Sequence, residues 1–570
     1  MIVGALLTPC NVYSGLKIGW TFNMSVAAGL IGFVFWSAAG RLRGTPGWGI
    51  KENNLNQTAA SAAASIISAG LAAPIPALAI LTGQTLPFGL LAIWLLVISL
   101  LGIVVAAGLR NQLLLRDRLP FPSGMVTAET MSEIHRGGKD AAALLQTLGS
   151  LAALSASVKG AVTYWGIGPI APAFKTVLST RSGETLAVSA KNLGFALDPS
   201  FLMVGFGAIS GLRISASLLL GSLLAWGVLA PIALTNGWAH PGAADSNAVW
   251  FGPLVEWLLW PGATLMVTAS LTSFAISMVR VYGRSHEAGA DEDAARAWVM
   301  PPRVFALAFG LVLVACVWAQ TSIFGIGLIE AVLAVGLSYV LAIVAARVSG
   351  ETAITPIGAL GKITQLTFGA ISPGAVSTNL MTANVTGGAA GQCADLMHDL
   401  RTGQIIGATP LFQLIAQTFG VLAGAFVASF TYLLLIPDPV NQLITPEWPA
   451  PAVATWKAVA EVLSQGVSAI PTGAGEAIAV AAVAGIGLAF AEAHSEEPIR
   501  KWLPSASVIG LGFVIPAWNA LSMFSGALFA ALLAHWAPDF AKKRIMVIAA
   551  GLIVGESLAG VIGAMLSIAG

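Results

Sequence analysis

The sequence predicts an all-α polytopic membrane protein, with about 14–16 transmembrane helices in two repeated halves and with broken or re-entrant segments. Three observations carry that prediction. Of the 570 residues, 56% are hydrophobic and only 9% are charged, whereas a soluble domain carries roughly a quarter charged residues. The apolar runs extend from one end of the chain to the other, and many approach the ~20 residues needed to cross hydrocarbon. There are also 63 glycines, small residues that let helix backbones approach closely inside a bilayer. The runs are rich in Ala and Leu and lack the alternation of apolar and polar residues that an outer-membrane barrel shows.

In chain order, the expected spans of the first half are 1–13, 20–38, 59–81, 87–109, 143–165, 201–212, 214–234 and 254–279. Those of the second half are 304–320, 323–346, 354–371, 411–436, 477–493, 508–518, 520–536 and 545–568. Lys17 arrives soon after the first apolar run, so the first helix is expected to be short, truncated or broken. No charged segment precedes that run, so no cleavable signal peptide is expected.

Lys and Arg fix the expected orientation. Arg41, Arg43 and Lys51 flank one loop, and Arg110, Arg116, Arg118, Arg136 and Lys139 flank another. Arg280, Arg284, Arg296 and Arg303 mark a third, with further clusters at Arg500 and Lys501 and at Lys542, Lys543 and Arg544. These loops are expected on the cytoplasmic side. Segments 235–251 and 437–455 hold no Lys or Arg, contain Trp and Pro, and read as extracytoplasmic. Many of the 17 tryptophans stand near span ends, where interfacial belts form. A net charge of +1 and the absence of a basic tract give no sign of a nucleic-acid partner. Cys10, Cys316 and Cys393 form no paired motif, so neither a disulfide framework, a metal site nor a cofactor is indicated.

A faint internal repeat links residues 38–44 with 345–350, where an apolar helix ends in Arg and Gly. In each half a polar-led helix follows, at Asn56-Gln57-Thr58 and at Thr364-Gln365-Leu366. Equal order and direction suggest a parallel duplication: a transmembrane half 1–284, a cytoplasmic linker 285–302 and a transmembrane half 303–570.

Four stretches are wrong for ordinary membrane helices, being polar, Gly-rich or interrupted by Pro: 11–23, 51–58, 119–129 and 378–403. Broken backbone at membrane depth is tolerated only where protein or a water-filled cavity surrounds it. Around these stretches lie six blocks: NVYSGLKIGWTFNMSVAAGLIGF at 11–33, ENNLNQTAASAAAS at 52–65, LPFPSGMVTAE at 119–129, GAISGLRISASLLLGSLLAW at 207–226, ARVSGETAITPIGALGKITQ at 346–365 and ADLMHDLRTGQIIGATP at 394–410. In this order the blocks resemble the oligopeptide-transporter family, which includes the yellow-stripe-like metal-chelate transporters, and this chain looks like a bacterial-type member. The resemblance implies a proton-driven symporter of about sixteen helices that imports small peptides or peptide-like metal chelates, in a bacterial inner membrane. The chain is compact for that family, which leaves the substrate class open.

The residues suggest where such chemistry would sit. An ionisable group inside a span costs about 2.5–3.5 kcal/mol on insertion scales and is a functional candidate by default. Glu129, Glu330, Glu476 and Glu556 are the proton-coupling candidates. For Glu476 a helix-start role competes with coupling, and for Glu330 and Glu556 a buried hydrogen-bonded role competes. A peptide-like ligand presents an amine, a carboxylate and amides. Lys17 and Arg213 either face that carboxylate or snorkel to the interface. Asn11, Tyr13, Asn53, Asn54, Gln57, Asn379, Asn384 and Gln392 either pair ligand amides or bond between helices. Asp395, His398 and Asp399 lie at helical spacing on one face, suited to a proton relay; the resemblance implies a gate helix there. One histidine without a second soft ligand does not make a metal site.

A membrane-embedded enzyme would show charged catalytic clusters in substantial loops, and none is present. A channel would need no buried carboxylates. The expected partners are a small-molecule substrate, protons and the lipid bilayer, and a homo-oligomer is compatible with the apolar outer face.

Overall fold

The computed structural model describes residues 1–19, 24–44, 48–136, 139–181, 183, 185–284, 300–352 and 355–569. Most of the expected linker 285–302 lies outside the described residues, as does part of the first polar stretch, 20–23. Helices dominate. They run as α1 (Ile2–Ile18), α2 (Ser25–Arg43), α3 (Ile50–Ser65), α4 (Pro74–Thr82), α5 (Phe88–Arg110), α6 (Pro122–Arg136) and α7 (Lys139–Trp165). A two-stranded hairpin, β1 (Lys175–Ser179) and β2 (Thr185–Ser189), precedes α8 (Phe201–Ser222), α9 (Ala230–Thr235) and α10 (Phe251–Arg284). Next come α11 (Pro302–Phe324), α12 (Leu328–Thr352), α13 (Ile357–Ile371), α14 (Val376–Ile406) and α15 (Pro410–Leu435). The chain ends with α16 (Pro451–Gln465), α17 (Ala474–His494), α18 (Ala506–Leu511), α19 (Ala517–Trp536) and α20 (Pro538–Ala569).

Among the described residues ten helical runs are long and apolar enough to cross a membrane, and Ile2–Ile18 and Ser25–Gly40 are shorter apolar helices. The chain is an all-α polytopic membrane protein. Two expected segments, 201–212 and 214–234, join into one helical run, Phe201–Thr235. Its backbone breaks at Gly211, where φ is 81°, a left-handed value that a residue with a Cβ rarely adopts. The first piece alone would be too short to cross the hydrocarbon. The expected span 508–518 holds only the short α18 and irregular backbone after it.

The polar stretch 378–403 departs from expectation in a different way. It is unbroken helix within the 31-residue α14. Its glycines admit neighbours and leave the helix intact: a Cβ at Gly388 would stand 3.0 Å from Ala69 Cα and 2.6 Å from Ile98 Cγ2. Stretch 51–58 is likewise helical within α3. The Pro-broken stretch behaves as the sequence suggests, since Arg118 and Phe121 carry φ of 49° and 48° ahead of α6.

Residue contacts divide the chain into two compact units. One comprises Met1–Gly15, Trp20–Gln146 and Ser277–Pro437. Its centre is α14, buried almost throughout from Thr378 to Gly403 and packed on α3, α5, α6, α12 and α13. The other comprises Leu16–Gly19, Thr147–Ile276 and Asp438–Gly570, and α8 packs there on α18, α19 and α20. Gly207 and Gly526 let α8 and α19 touch backbone to backbone, because a Cβ on Gly207 would overlap Met523 O and one on Gly526 would overlap Val204 O. The antiparallel hairpin pairs Lys175 with Ser189 and Ser179 with Thr185. Asn192 ties it to the loop before α10, donating from Nδ2 to Asp245 O at 2.9 Å and to Ala248 O at 2.8 Å.

Candidate functional site

In the first unit a hydrogen-bonded chain of polar side chains lies where α2, α3 and α14 meet. Asn54 Nδ2 donates to Gln57 Oε1 at 3.0 Å, and Gln57 Nε2 donates to Asp399 Oδ1 at 2.6 Å. Ser25 Oγ donates to the same carboxylate oxygen at 2.9 Å and also meets Ser61 Oγ at 2.9 Å. Asp399 is 1% exposed. Its second oxygen, Oδ2, is buried without a hydrogen-bond partner, and among the described residues no cation pairs with it. All its donors are neutral, so a negative charge there is uncompensated, a costly arrangement at this depth.

Neighbouring motifs of this unit converge on the same end of α14. His398 Nε2 meets Ser349 Oγ at 2.9 Å, and its ring stands edge-on to Phe121 at 5.2 Å. Phe121 N donates to Gly350 O at 2.8 Å, and Thr402 Oγ1 donates to Gly124 O at 2.9 Å. Thus LPFPSG, ARVSG and ADLMHD, separate in sequence, form one junction. Asp395 is half-buried beside it, and Asp117 and Arg347 form an ion pair of 3.0 Å.

The other amides of this unit sort by partner. Asn11 Nδ2 donates to Ala64 O at 2.8 Å, with Tyr13 buried on the same helix. Asn53 Nδ2 donates to Gly29 O at 3.0 Å. Asn379 and Gln365 exchange two hydrogen bonds, of 2.6 and 3.1 Å. Asn11, Asn53, Asn379 and Gln365 are thus bonded between helices. Asn384 accepts from Trp94 Nε1 at 2.7 Å but leaves Nδ2 unpartnered, and Gln392 is fully buried with neither side-chain atom bonded. Leaving a buried polar group unbonded costs about 1–3 kcal/mol.

The four glutamates divide sharply. Glu129 and Glu476 are exposed. Glu330 is half-buried at the start of α12, accepting from Gly327 N at 2.9 Å and from Ser372 Oγ. Glu556, 3% exposed on α20, accepts from Ser200 Oγ at 2.8 Å and from Leu202 N at 2.7 Å. It therefore caps the amino end of α8 from a distant helix, satisfying an N–H that has no intrahelical partner.

Glu556 also lines a cavity of about 70 Å³ in the second unit, together with Lys17, Lys159, Asp198, Glu447 and Asn519. Two residues singled out by sequence for different reasons, Lys17 and Glu556, thus meet at one place. Lys17 Nζ lies 5.5 Å from the centre of the Trp448 ring. Burial pushes the Asp198 carboxyl above its ordinary value; Lys17 and Lys159 pull it back down, and Glu556 pushes it up. The loop carrying Glu447 and Trp448 is bounded by Ile444 and Ala450, with φ of 59° and 43°. Non-glycine residues in that region cost about 1–3 kcal/mol each and tend to cluster at ligand sites. Ala450 N donates to Leu16 O at 3.1 Å, which fixes the loop against the segment bearing Lys17.

Arg213 stands apart from that cavity's lining. It pairs with Glu492 at 2.7 Å and donates to Leu503 O at 2.8 Å. Sequence reading passed over Asp198, Lys159 and Glu447. One signal was available: Asp198-Pro199-Ser200 immediately before an apolar run is a helix-start signature. Among the described residues no group of three His, Cys, Asp or Glu side chains is placed to hold a metal ion.

Comparison with known proteins bears on the whole chain. The family model described as OPT oligopeptide transporter protein matches residues 1–567. A Saccharomyces cerevisiae protein whose name proposes an oligopeptide transporter is 23% identical over 696 aligned residues, covering 98% of this chain and 94% of that protein. A metal-nicotianamine transporter of Arabidopsis thaliana is 24% identical over 618 aligned residues, covering 98% of this chain and 90% of that protein.

Proposed function

Because the chain belongs to the OPT oligopeptide transporter family, we propose that it carries small oligopeptides or peptide-like metal chelates across a bilayer together with protons. The family and the relatives are transporters by name; the proton coupling and the cargo are our reading. The observation that carries the coupling is Asp399. Its carboxylate is held by Ser25 and Gln57, lacks a cationic partner and keeps one oxygen unbonded. A proton taken up at Oδ2 removes the cost of the uncompensated charge, and loss of that proton restores it. A group of this kind links protonation to the packing of α2, α3 and α14.

We assign a second coupling role to Glu556, the buried one of the four glutamates, and keep Glu129, Glu330 and Glu476 as comparison variants. Asp395 and His398 stand beside Asp399 as the gate that α14 forms with the Phe121 turn. The proposed bilayer is the bacterial inner membrane, with the Lys- and Arg-rich loops toward the cytoplasm.

The test is uptake into proteoliposomes under an inward proton gradient, with dipeptides, tripeptides and a metal chelate offered in parallel. Gradient-driven accumulation that Asp399→Asn abolishes and Glu129→Gln leaves intact is the expected result. Equal accumulation with a sodium gradient and no proton gradient would move the coupling ion from proton to sodium and overturn this reading.

A further inference from the structure

The lining of the second unit's cavity runs from an exposed acid to a buried one. Glu447 is exposed, Asp198 and Lys159 are half-buried, and Glu556 and Asn519 are 3% and 5% exposed. Each comes from a different element: Glu447 from the loop before α16, Lys159 from α7, Asp198 from the segment before α8, Asn519 from α19 and Glu556 from α20. Lys17 completes the charged lining and is engaged with the Trp448 ring. Among the described residues Asp198 makes no ion pair and no side-chain hydrogen bond. It stands two residues from Ser200, which lines the same cavity and donates from Oγ to Glu556 Oε1 at 2.8 Å.

This arrangement suits proton transfer. A cavity of about 70 Å³ has room for roughly five waters at 10–15 Å³ each, and Lys159, Asp198, Ser200 and Asn519 give such waters polar partners. A side chain passes a proton directly or through one water. A serine hydroxyl both donates and accepts, so Ser200 can give its proton to Glu556 Oε1 while it takes another from a cavity water. Glu556 Oε2 keeps the Leu202 N–H meanwhile, so a proton on Oε1 leaves the start of α8 capped. Burial holds the Asp198 carboxyl above its ordinary value, Lys17 and Lys159 pull it down, and Glu556 pushes it up. Asp198 therefore takes a proton from solvent more readily than a free aspartate does. Glu447 is the remaining charged group around the same space.

We propose that Asp198 is the proton-loading group of this cavity and that the Ser200 hydroxyl relays its proton to Glu556. The inference deepens the coupling role given to Glu556 and rests on that reading. Asp198 takes a proton from solvent and releases it to a cavity water. That water protonates Ser200 Oγ as the hydroxyl proton of Ser200 passes to Glu556 Oε1. At each transfer one O–H bond breaks and one forms, and Glu556 ends neutral, with its O–H donating to Ser200 Oγ. Rotation of the Ser200 hydroxyl after Glu556 gives up its proton restores the starting arrangement.

Time-resolved infrared spectroscopy of the purified full chain, after light-triggered release of protons from a caged acid, tests it. The readout is the band of the protonated Glu556 carboxyl, which Glu556→Gln removes. In the unaltered protein that band rises after the release. Asp198→Asn slows the rise about tenfold or more, and Asp198→Glu restores it. Millimolar azide, a small proton carrier, speeds the rise in Asp198→Asn, a recovery that a merely structural role for Asp198 does not give. An unslowed rise in Asp198→Asn, a slowed rise that azide leaves slow, or a Glu556 that takes up no proton each overturns the inference. A variant that misfolds does not block the test, because the unaltered protein also decides it: a relay through the Ser200 hydroxyl slows in heavy water, and equal rates in the two solvents overturn it. Cargo-dependent proton entry into proteoliposomes decides the transport reading separately. Its presence beside an unslowed Glu556 band in Asp198→Asn sinks the relay alone.

Discussion

Glu556 and Asp399 are both buried carboxylates on helices of the membrane region, and their surroundings differ. Glu556 receives two donors at the start of α8, one on each oxygen. Glu556→Ala removes both acceptors and leaves the Leu202 N–H at the start of α8 unbonded. It is expected to lower stability by about 1–3 kcal/mol, read as a lower unfolding temperature in detergent; an unchanged temperature contradicts the cap. Lys17 and Glu556 were legible in sequence as charges within apolar surroundings. Asp198 and Lys159 were not, because nothing in the periodicity of a single segment shows which loop folds over which helix end.

Elements were legible in proportion to their apolar length. The run 87–109 reads as a span from composition alone, and the structure has Phe88–Arg110 as one helix. Helix α14 was misread as broken because its Gly387-Gly388 pair and its Asn and Gln residues look like interruptions. Polarity there reflects burial among other helices, and a glycine inside a helix is tolerated when a neighbour occupies the space of its missing side chain. The hairpin Lys175–Ser189 was missed outright, since two five-residue strands leave little periodicity to detect. The crossing of α8 and α19 gives a test at this scale. Gly207→Ala places a Cβ on Met523 O, and such overpacking costs about 1–3 kcal/mol. Thermal unfolding should show that loss, while Gly310→Ala, which meets nothing within 4 Å, should show none. Equal stability of both variants would mean that the two helices do not touch as described.

Across the whole molecule, composition was enough to give the class, and six ordered motifs gave the family. Cargo and coupling ion are not written in composition, because an apolar exterior is shared by carriers of every kind. The parallel duplication of halves 1–284 and 303–570 is proposed on sequence alone, from the matching Arg-Gly helix ends and the polar-led helices that follow them. The central claim is that cargo and proton move together through a chain in which Asp399 takes up the proton. The most direct measurement is proton entry into proteoliposomes, followed with an interior pH-sensitive dye, when cargo is added outside with no proton gradient imposed. The account predicts cargo-dependent acidification by the unaltered protein and none by Asp399→Asn. Cargo uptake without acidification, or acidification that Asp399→Asn leaves unchanged, would contradict it.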